Sequence, residues 1–282
     1  MPAAGQPRLP QPSEGATQLV ARAPVAQAPA PSAAVPAGVA QKLGAAERLR
    51  ERYLETGDAN ALTQALAVSQ DAVESAPADA SEARGLGLSL RCVLLRLAYV
   101  RDRDQVKLGE AVEAGRAARS LLRPADPGFP RAVNSLAAAL QEEYGQTKDA
   151  AILTEALALY REGARLLPEG HPDIPGLYSN IGNVLMTQGL ADGNPRLLTE
   201  AVQAGREALG MSDPEAPTFG PRLAHLGMAL VAHYANCDGP PAELDEAERL
   251  FNEALATLAP SHAVRGQIQS YMNGINALRL AQ

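Results

Sequence analysis

A four-residue phrase returns along this chain at a nearly constant distance. Leu62-Thr63-Gln64-Ala65, Leu108-Gly109-Glu110-Ala111, Leu153-Thr154-Glu155-Ala156, Leu198-Thr199-Glu200-Ala201 and Leu244-Asp245-Glu246-Ala247 begin 46, 45, 45 and 46 residues apart. Self-similarity at so steady a period marks a stacked repeat, in which each unit buries its apolar face only against its neighbours. Four residues ahead of the first four leucines stand Asp58, Asp104, Asp149 and Asn194. Their side-chain oxygens suit the free N–H groups of a helix's first turn, so each predicts a helix start. In the fourth copy Pro195 follows at the first helical position, where its missing N–H costs nothing, and in the fifth Gly239-Pro240-Pro241 takes over the role.

Behind each start, apolar and small residues recur at helical spacing. Leu62, Ala65, Leu66, Ser69, Ala72 and Val73 do so in the first copy, and Leu244, Ala247, Phe251, Ala254, Leu255 and Leu258 in the fifth. Pro77, Pro124, Pro168, Pro214 and Pro260 stand at or just past the ends of these helices. A partner helix follows each, as over 175–187 and 221–234, and Tyr53, Tyr99, Tyr144 and Tyr234 close four of the partner helices at one phase, with Gly189 in the remaining place. The unit is a helix pair. Five pairs and a final single helix account for 41–282, which predicts an all-α chain. In the last helix Val264, Ile268, Tyr271, Ile275 and Leu278 form one apolar stripe, with Arg265, Gln269, Asn273, Asn276 and Gln282 around the rest, as a terminal cap requires.

Residues 1–40 read differently. They hold eight prolines, twelve alanines and three charges, Arg8, Glu14 and Arg22. Such a stretch cannot offset its ordering entropy by burial, which predicts a disordered, solvated tail; Pro7, Pro10 and Pro12 give only a weak PxxP match. A net charge of −7 and a pI near 5.2 speak against a general nucleic-acid or anionic-membrane binder, which needs a basic surface. Two cysteines cannot frame a disulfide scaffold, and no apolar run reaches a membrane span or a signal-peptide core. The expectation is a soluble, cytoplasmic protein.

The repeats resemble the tetratricopeptide repeat family. Tyr178-Ser179-Asn180-Ile181-Gly182-Asn183-Val184-Leu185 is similar to that family's first helix, with Tyr178 as the leading aromatic and Ile181-Gly182 as its Leu-Gly pair. Ala247, Phe251 and Ala254, with Ala259-Pro260 behind, resemble the second helix. The usual unit has 34 residues, so this one carries about eleven more between the Gly and the small residue. The longer form, with 167–173 between pairs, looks like the arrays that accompany bacterial CHAT protease domains and signalling ATPases. In the first two copies Ala46 and Cys92 occupy the Gly position and the leading aromatics are absent.

The resemblance implies a right-handed α-α superhelix of about five pairs with a C-terminal capping helix. It also implies that the first helix of each pair lines a concave groove. Carried over residue by residue, the groove positions are Arg96, Arg131, Asn134, Gln141, Ser179, Asn180, Asn183, Thr187, His225 and Met228, with Asn273 and Asn276 added by the last helix. Asparagine offers both a donor and an acceptor to an extended backbone, which suits a peptide ligand; the alternative for Asn180 and Asn183 is that they bridge neighbouring helices. With Arg96 and Arg131 near Glu142, the groove reads as mixed in charge.

The residues give little to chemistry. His171 beside Pro172 reads as a turn cap, and Cys92 as a buried inert thiol. His233 and Cys237 are four apart, but a closed zinc site needs four ligands. Gly85-Leu86-Gly87 lies within a helical stretch with no strand before it, and no P-loop occurs. Glu110, Glu155, Glu200 and Glu246 read as a solvated row near helix starts. The expectation is a non-enzymatic scaffold, without metal or cofactor, binding a peptide or helix of a partner protein. The alternative is a regulatory or sensor subunit of a separately encoded CHAT-type protease or ATPase system. Nothing in the sequence calls for homo-oligomerisation, though solenoid ends offer a route to it.

Overall fold

The computed structural model describes residues 35–280 apart from 238, 261 and 263. Most of the expected tail, 1–34, lies outside the described residues, while 37–40 already belong to the first helix. Eleven helices follow in order: α1 (Ala37–Thr56), α2 (Ala59–Ser75), α3 (Ser81–Asp102), α4 (Gln105–Leu121), α5 (Phe129–Thr147), α6 (Ala150–Leu166), α7 (Ile174–Asp192), α8 (Pro195–Gly210), α9 (Phe219–Cys237), α10 (Ala242–Thr257) and α11 (Val264–Leu280). There is no strand among the described residues. Each odd helix packs on the even helix after it, and each even helix on the next odd one, so five pairs stack in chain order behind a closing α11.

The helix starts are where the carboxylates and the amide put them. Asp58, Asp104, Asp149 and Asn194 accept hydrogen bonds from the N–H two residues on, at 2.9, 3.0, 2.9 and 3.1 Å. α10 begins at Pro241 with no side-chain cap, and Glu243 and Asp245 in its first turn favour the positive end of the helix dipole instead. Four odd helices end alike. Gly57, Arg103, Lys148 and Gly193 take left-handed conformations (φ 70°, 59°, 55° and 60°), and their N–H groups bond the carbonyls of Tyr53, Tyr99, Tyr144 and Gly189. A side chain in this region costs about 1–2 kcal/mol. At two of the four positions the residue is basic and lies over the tyrosine of its own cap, Arg103 at 5.7 Å and Lys148 at 5.3 Å. Such contacts return about 0.5–1 kcal/mol at exposed sites.

The two helices of a pair approach through small residues. Ala65, Ala111, Ala156, Ala201 and Ala247, the last letter of each repeated phrase, are all completely buried. In the fourth pair a Cβ on Gly182 would lie 3.1 Å from the Ala201 carbonyl oxygen, so a backbone atom, which cannot yield like a side chain, makes this a glycine site. At Gly189, where the other copies carry tyrosine, a Cβ would lie 2.9 Å from the Leu198 side chain. One continuous core runs from Cys92 to Ile275. The first pair sits instead on two smaller clusters, Ala46, Leu62 and Ala65 with Leu90, Leu94 and Ala98, and Val39, Ala72 and Ala76 with Ala83.

The glutamates expected to form a solvated row are ion-paired from one repeat to the next. Arg116 meets Glu155 at 3.0 Å, Arg161 meets Glu200 at 3.7 Å and Arg206 meets Glu246 at 2.9 Å. These arginines recur at the repeat period. Exposed pairs of this kind are worth about 0–1 kcal/mol each, so the ladder favours correct neighbour alignment more than it adds stability. The ladder does not reach the first pair. Asp71 stands in the arginine place there and bonds Lys42 at 2.8 Å, while Glu110 turns to Arg91 at 3.8 Å.

α11 closes the stack. Ile268 and Ile275 are buried, Val264, Tyr271 and Leu278 half-buried, and Gln269, Asn273 and Asn276 face solvent. The Tyr271 ring packs near Phe251 at 6.3 Å, and Arg265 donates to the Leu255 and Leu258 carbonyls at 2.7 and 2.9 Å, satisfying the end of α10.

Two measurements test this assembly. Asp149→Ala removes the cap of α6 and should lower the free energy of unfolding by about 1 kcal/mol in urea melts. Removing residues 262–282 uncovers Phe251 and the last pair, so it should lower the melting temperature or cause aggregation; a soluble truncation with an unchanged melt would show that α11 is not a cap.

Candidate partner-binding groove

α5 and α7 enter through matching turns, each with proline in the first helical turn, Pro130 and Pro175. Ahead of α5 the buried Asp126 carboxylate accepts from the Arg123 backbone N–H at 2.8 Å and its guanidinium at 2.9 Å. Burial pushes this carboxyl up, but the Arg123 bonds and charge outweigh it and hold it below the ordinary range. Ahead of α7, Gly170 is left-handed (φ 77°) and His171 Nδ1 accepts from the Asp173 N–H at 3.2 Å, the turn-capping role read from the sequence. α3 packs on α5 and α7 on α9, while α5 and α7 are the least closely packed neighbours among the odd helices.

A cavity of about 560 Å3 opens there. α1 brings Glu47, Arg50 and Glu51 to its lining, α3 brings Val93 and Arg96, α5 brings Pro130, Arg131, Asn134, Ser135 and Ala138, α7 brings Gly176, Leu177 and Asn180, and α9 brings Arg222. Leu167, Pro172 and Asp173 of the turn before α7 complete it. The first helix of each of the five pairs thus contributes to one wall.

Of the residues singled out in the sequence, Arg96, Arg131, Asn134 and Asn180 line this cavity together. Asn180 Nδ2 donates to Asn134 Oδ1 at 3.4 Å, so the two amides also bridge α5 and α7. Arg96 pairs with Glu142 at 3.6 Å, and Arg131 with Glu47 two pairs away. The others lie elsewhere. Gln141 accepts from the buried Tyr160 hydroxyl at 3.2 Å. Ser179 is buried, its hydroxyl 2.9 Å from His225 Nδ1. Thr187 donates back to the Asn183 carbonyl at 2.9 Å, and the half-buried Asn183 amide makes no hydrogen bond to a described residue. Met228 is buried in the core, which takes it out of the groove, and Asn276 is exposed on α11, outside the cavity lining. Asn180, His225 and Glu142 each stand 46 residues after their partner, so one polar step repeats from odd helix to odd helix.

Glu47, Arg50 and Arg222 were not singled out in the sequence, yet they face the cavity. Projecting the groove phase back to the first pair would have found Arg50, which lies 46 residues before Arg96, whereas Glu47 lies 46 residues before Val93, a lining residue the sequence did not mark. Arg222 follows Pro221 and shares no phase with the earlier asparagines, so no sequence signal marked it.

The reactive residues are spent on structure. Burial pushes the Cys92 thiol up to about 12, and its Sγ contacts the Ser135 carbonyl at 3.4 Å. His233 has Glu243 at 2.9 Å on one ring nitrogen and Thr199 at 3.1 Å on the other. Among the described residues no group of three or more His, Cys, Asp or Glu is placed to hold a metal ion, and no helix is long and apolar enough to cross a membrane.

Burial, aided by the charge of His262, pushes the His225 imidazole down to about 4. The folded state therefore holds a neutral ring where the unfolded chain takes up a proton near 6.5. Stability should fall as the pH drops from about 6.5 toward 4, because the unfolded state binds more protons across that window. Urea melts between pH 7 and 4.5 should show this slope, and His225→Gln should remove His225's share of it.

No protein-family model matches the chain, and no curated protein is similar to it. Among solved structures it is similar to the nearly identical TPR-like repeats of a kinesin light chain-like protein from Podosopora anserina, at 18% identity and a TM-score of 0.50, covering 80% of this chain and 98% of that one. A variant of the same repeats gives the same identity and TM-score over 78% of this chain and 95% of the other. BtubC (BKLC) from P. vanneervenii aligns at 15% identity over 82% and 95% of the two chains with a TM-score of 0.47. At such identities the likeness is one of architecture: the chain folds as an all-α solenoid of the TPR-like kind.

Proposed function

We propose that the protein is a non-enzymatic interaction scaffold that holds an extended peptide or a helical segment of a partner protein in the groove formed by the odd helices. The observation that carries this reading is the convergence of the first helix of every pair, α1, α3, α5, α7 and α9, on one cavity lined by guanidiniums, carboxylates and primary amides. Such groups suit a polypeptide ligand, since the amides offer donor and acceptor to a backbone and the apolar side chains of Val93, Leu167 and Leu177 offer a seat for a side chain. The TPR-like architecture supports the same reading, because a solenoid presents a continuous surface without the layered core that seats most active sites.

Cross-linking mass spectrometry after affinity purification of the full chain tests it, with cross-links expected on the odd helices. Against the captured partner, Asn134→Ala combined with Asn180→Ala should weaken binding by about 1–3 kcal/mol, roughly ten- to hundredfold, with a nearly unchanged melt. A lower melt with binding lost only on unfolding would assign the amides to helix bridging. If neither changes, the partner binds elsewhere.

A further inference from the structure

Three polar bridges join an odd helix to the next one, Arg96 to Glu142, Asn134 to Asn180 and Ser179 to His225, and each spans 46 residues. Glu47 and Arg131 depart from that step. Their bond spans 84 residues and passes over α3 to join the first pair to the third. α1 packs on α2 and α3, and α5 on α3, α4 and α6, so α3 lies between the two helices that the bond connects. A bridge to the next helix fixes one step of a solenoid, whereas a bridge over two steps fixes how sharply those steps bend.

The carboxylate is held ready for that reach. Arg50, one turn further along α1, binds Glu47 Oε2 at 2.7 Å, which leaves Oε1 for Arg131. Glu47 is half-buried; burial pushes its carboxyl up, but the two guanidiniums outweigh this and hold it below the ordinary carboxylate range, so it is ionised at neutral pH. The joint beneath the bond is shallow. The first pair meets α3 through Ala46, Leu62 and Ala65 against Leu90, Leu94 and Ala98, and through Val39, Ala72 and Ala76 against Ala83, both apart from the main core. Short side chains interlock little, and packed helices slide past one another where the ridges are low. The arginine–glutamate ladder does not reach this joint, because Asp71 bonds Lys42 within the pair, and Arg101 meets the Ala59 carbonyl only at 3.5 Å. Segments with few buried apolar contacts move at lower free energy than the global fold opens.

We infer that the Glu47–Arg131 pair is a clasp that sets the curvature of the first three helix pairs, and that its release lets α1 and α2 swing away from α5 about the joint with α3. With the clasp closed, Glu47, Arg50 and Glu51 stand in the same cavity wall as Arg131 and Asn134. With it open they leave that wall, and the cavity widens toward the start of the array. The pair is partly in water, so it weakens with salt, whose screening length shrinks to about 3 Å at roughly 1 M. The device acts in the free chain and holds whatever the groove binds.

The test is a distance between two spin labels, measured by pulsed electron paramagnetic resonance on the full chain carrying Cys237→Ser; Cys92 is buried and stays. The labels go on Leu54→Cys and Gly145→Cys, two exposed positions at the same place near the ends of α1 and α5, and a Cβ at Gly145 meets nothing within 4 Å. Glu47→Gln and Arg131→Gln should each lengthen the distance by about 2 Å or more and broaden its distribution. Glu51→Gln, which takes the same charge from α1 without touching the clasp, should leave it unchanged, and the exchanged pair, Glu47→Arg with Arg131→Glu, should bring it back toward the parent value. An unchanged distance in both single variants overturns the inference. So does an equal lengthening in Glu51→Gln, or an exchanged pair no shorter than the single variants. A circular dichroism spectrum accompanies each sample. If the single variants lose helix, the parent's own salt series decides: a distance that grows with salt supports the clasp, and a constant one overturns it.

Discussion

The close approach of the two helices within each pair is the contact on which everything else depends. It is made at five alanines one repeat apart, Ala65 to Ala247, every one of them shut off from solvent. A larger side chain at any of them would push two backbones apart and tilt the rest of the stack. Because the stack is linear, the error would propagate to every later pair. The same closeness explains Gly182, where the facing atom is a carbonyl oxygen and cannot move aside.

Electrostatics follows that spacing. Once the even helices stand at a fixed distance, an arginine in one and a glutamate in the next can meet, and Arg116, Arg161 and Arg206 repeat the contact from the second pair to the fifth. The left-handed ends of the odd helices show the same economy of local means. Two of the four use glycine, and the other two carry the strain on a basic residue whose cation lies over the tyrosine of its own cap.

The groove arises where the pattern loosens. Between α5 and α7 the contact passes through the amides of Asn134 and Asn180, and the neighbouring helices leave a cavity whose wall mixes four guanidiniums with the carboxylates of Glu47, Glu51 and Asp173. The first pair stands slightly apart from the main core, and it is this pair that sends Glu47 across to Arg131. Looser packing, polar lining and a reaching carboxylate coincide in one place.

The repeat period, the helix pairs, four of the five caps and the buried alanines were legible in the sequence because each is set within a few residues, by a side chain meeting its own backbone or by a spacing that returns every 45 or 46 residues. Asp104 caps α4 whatever surrounds it. Which polar residues face the groove was another matter. Asn134 and Asn180 share a cavity with Arg222 and Glu47, while Met228, assigned to the groove by the same carry-over, is buried. A helix turns about 100° per residue, so a shift of one place between 45 and 46 swings a side chain from groove to core. Only the tertiary structure fixes that rotation, through packing against residues far away in the chain. The Glu47–Arg131 pair spans 84 residues and two repeats, so it depends on how far the whole stack bends, and no local pattern records that.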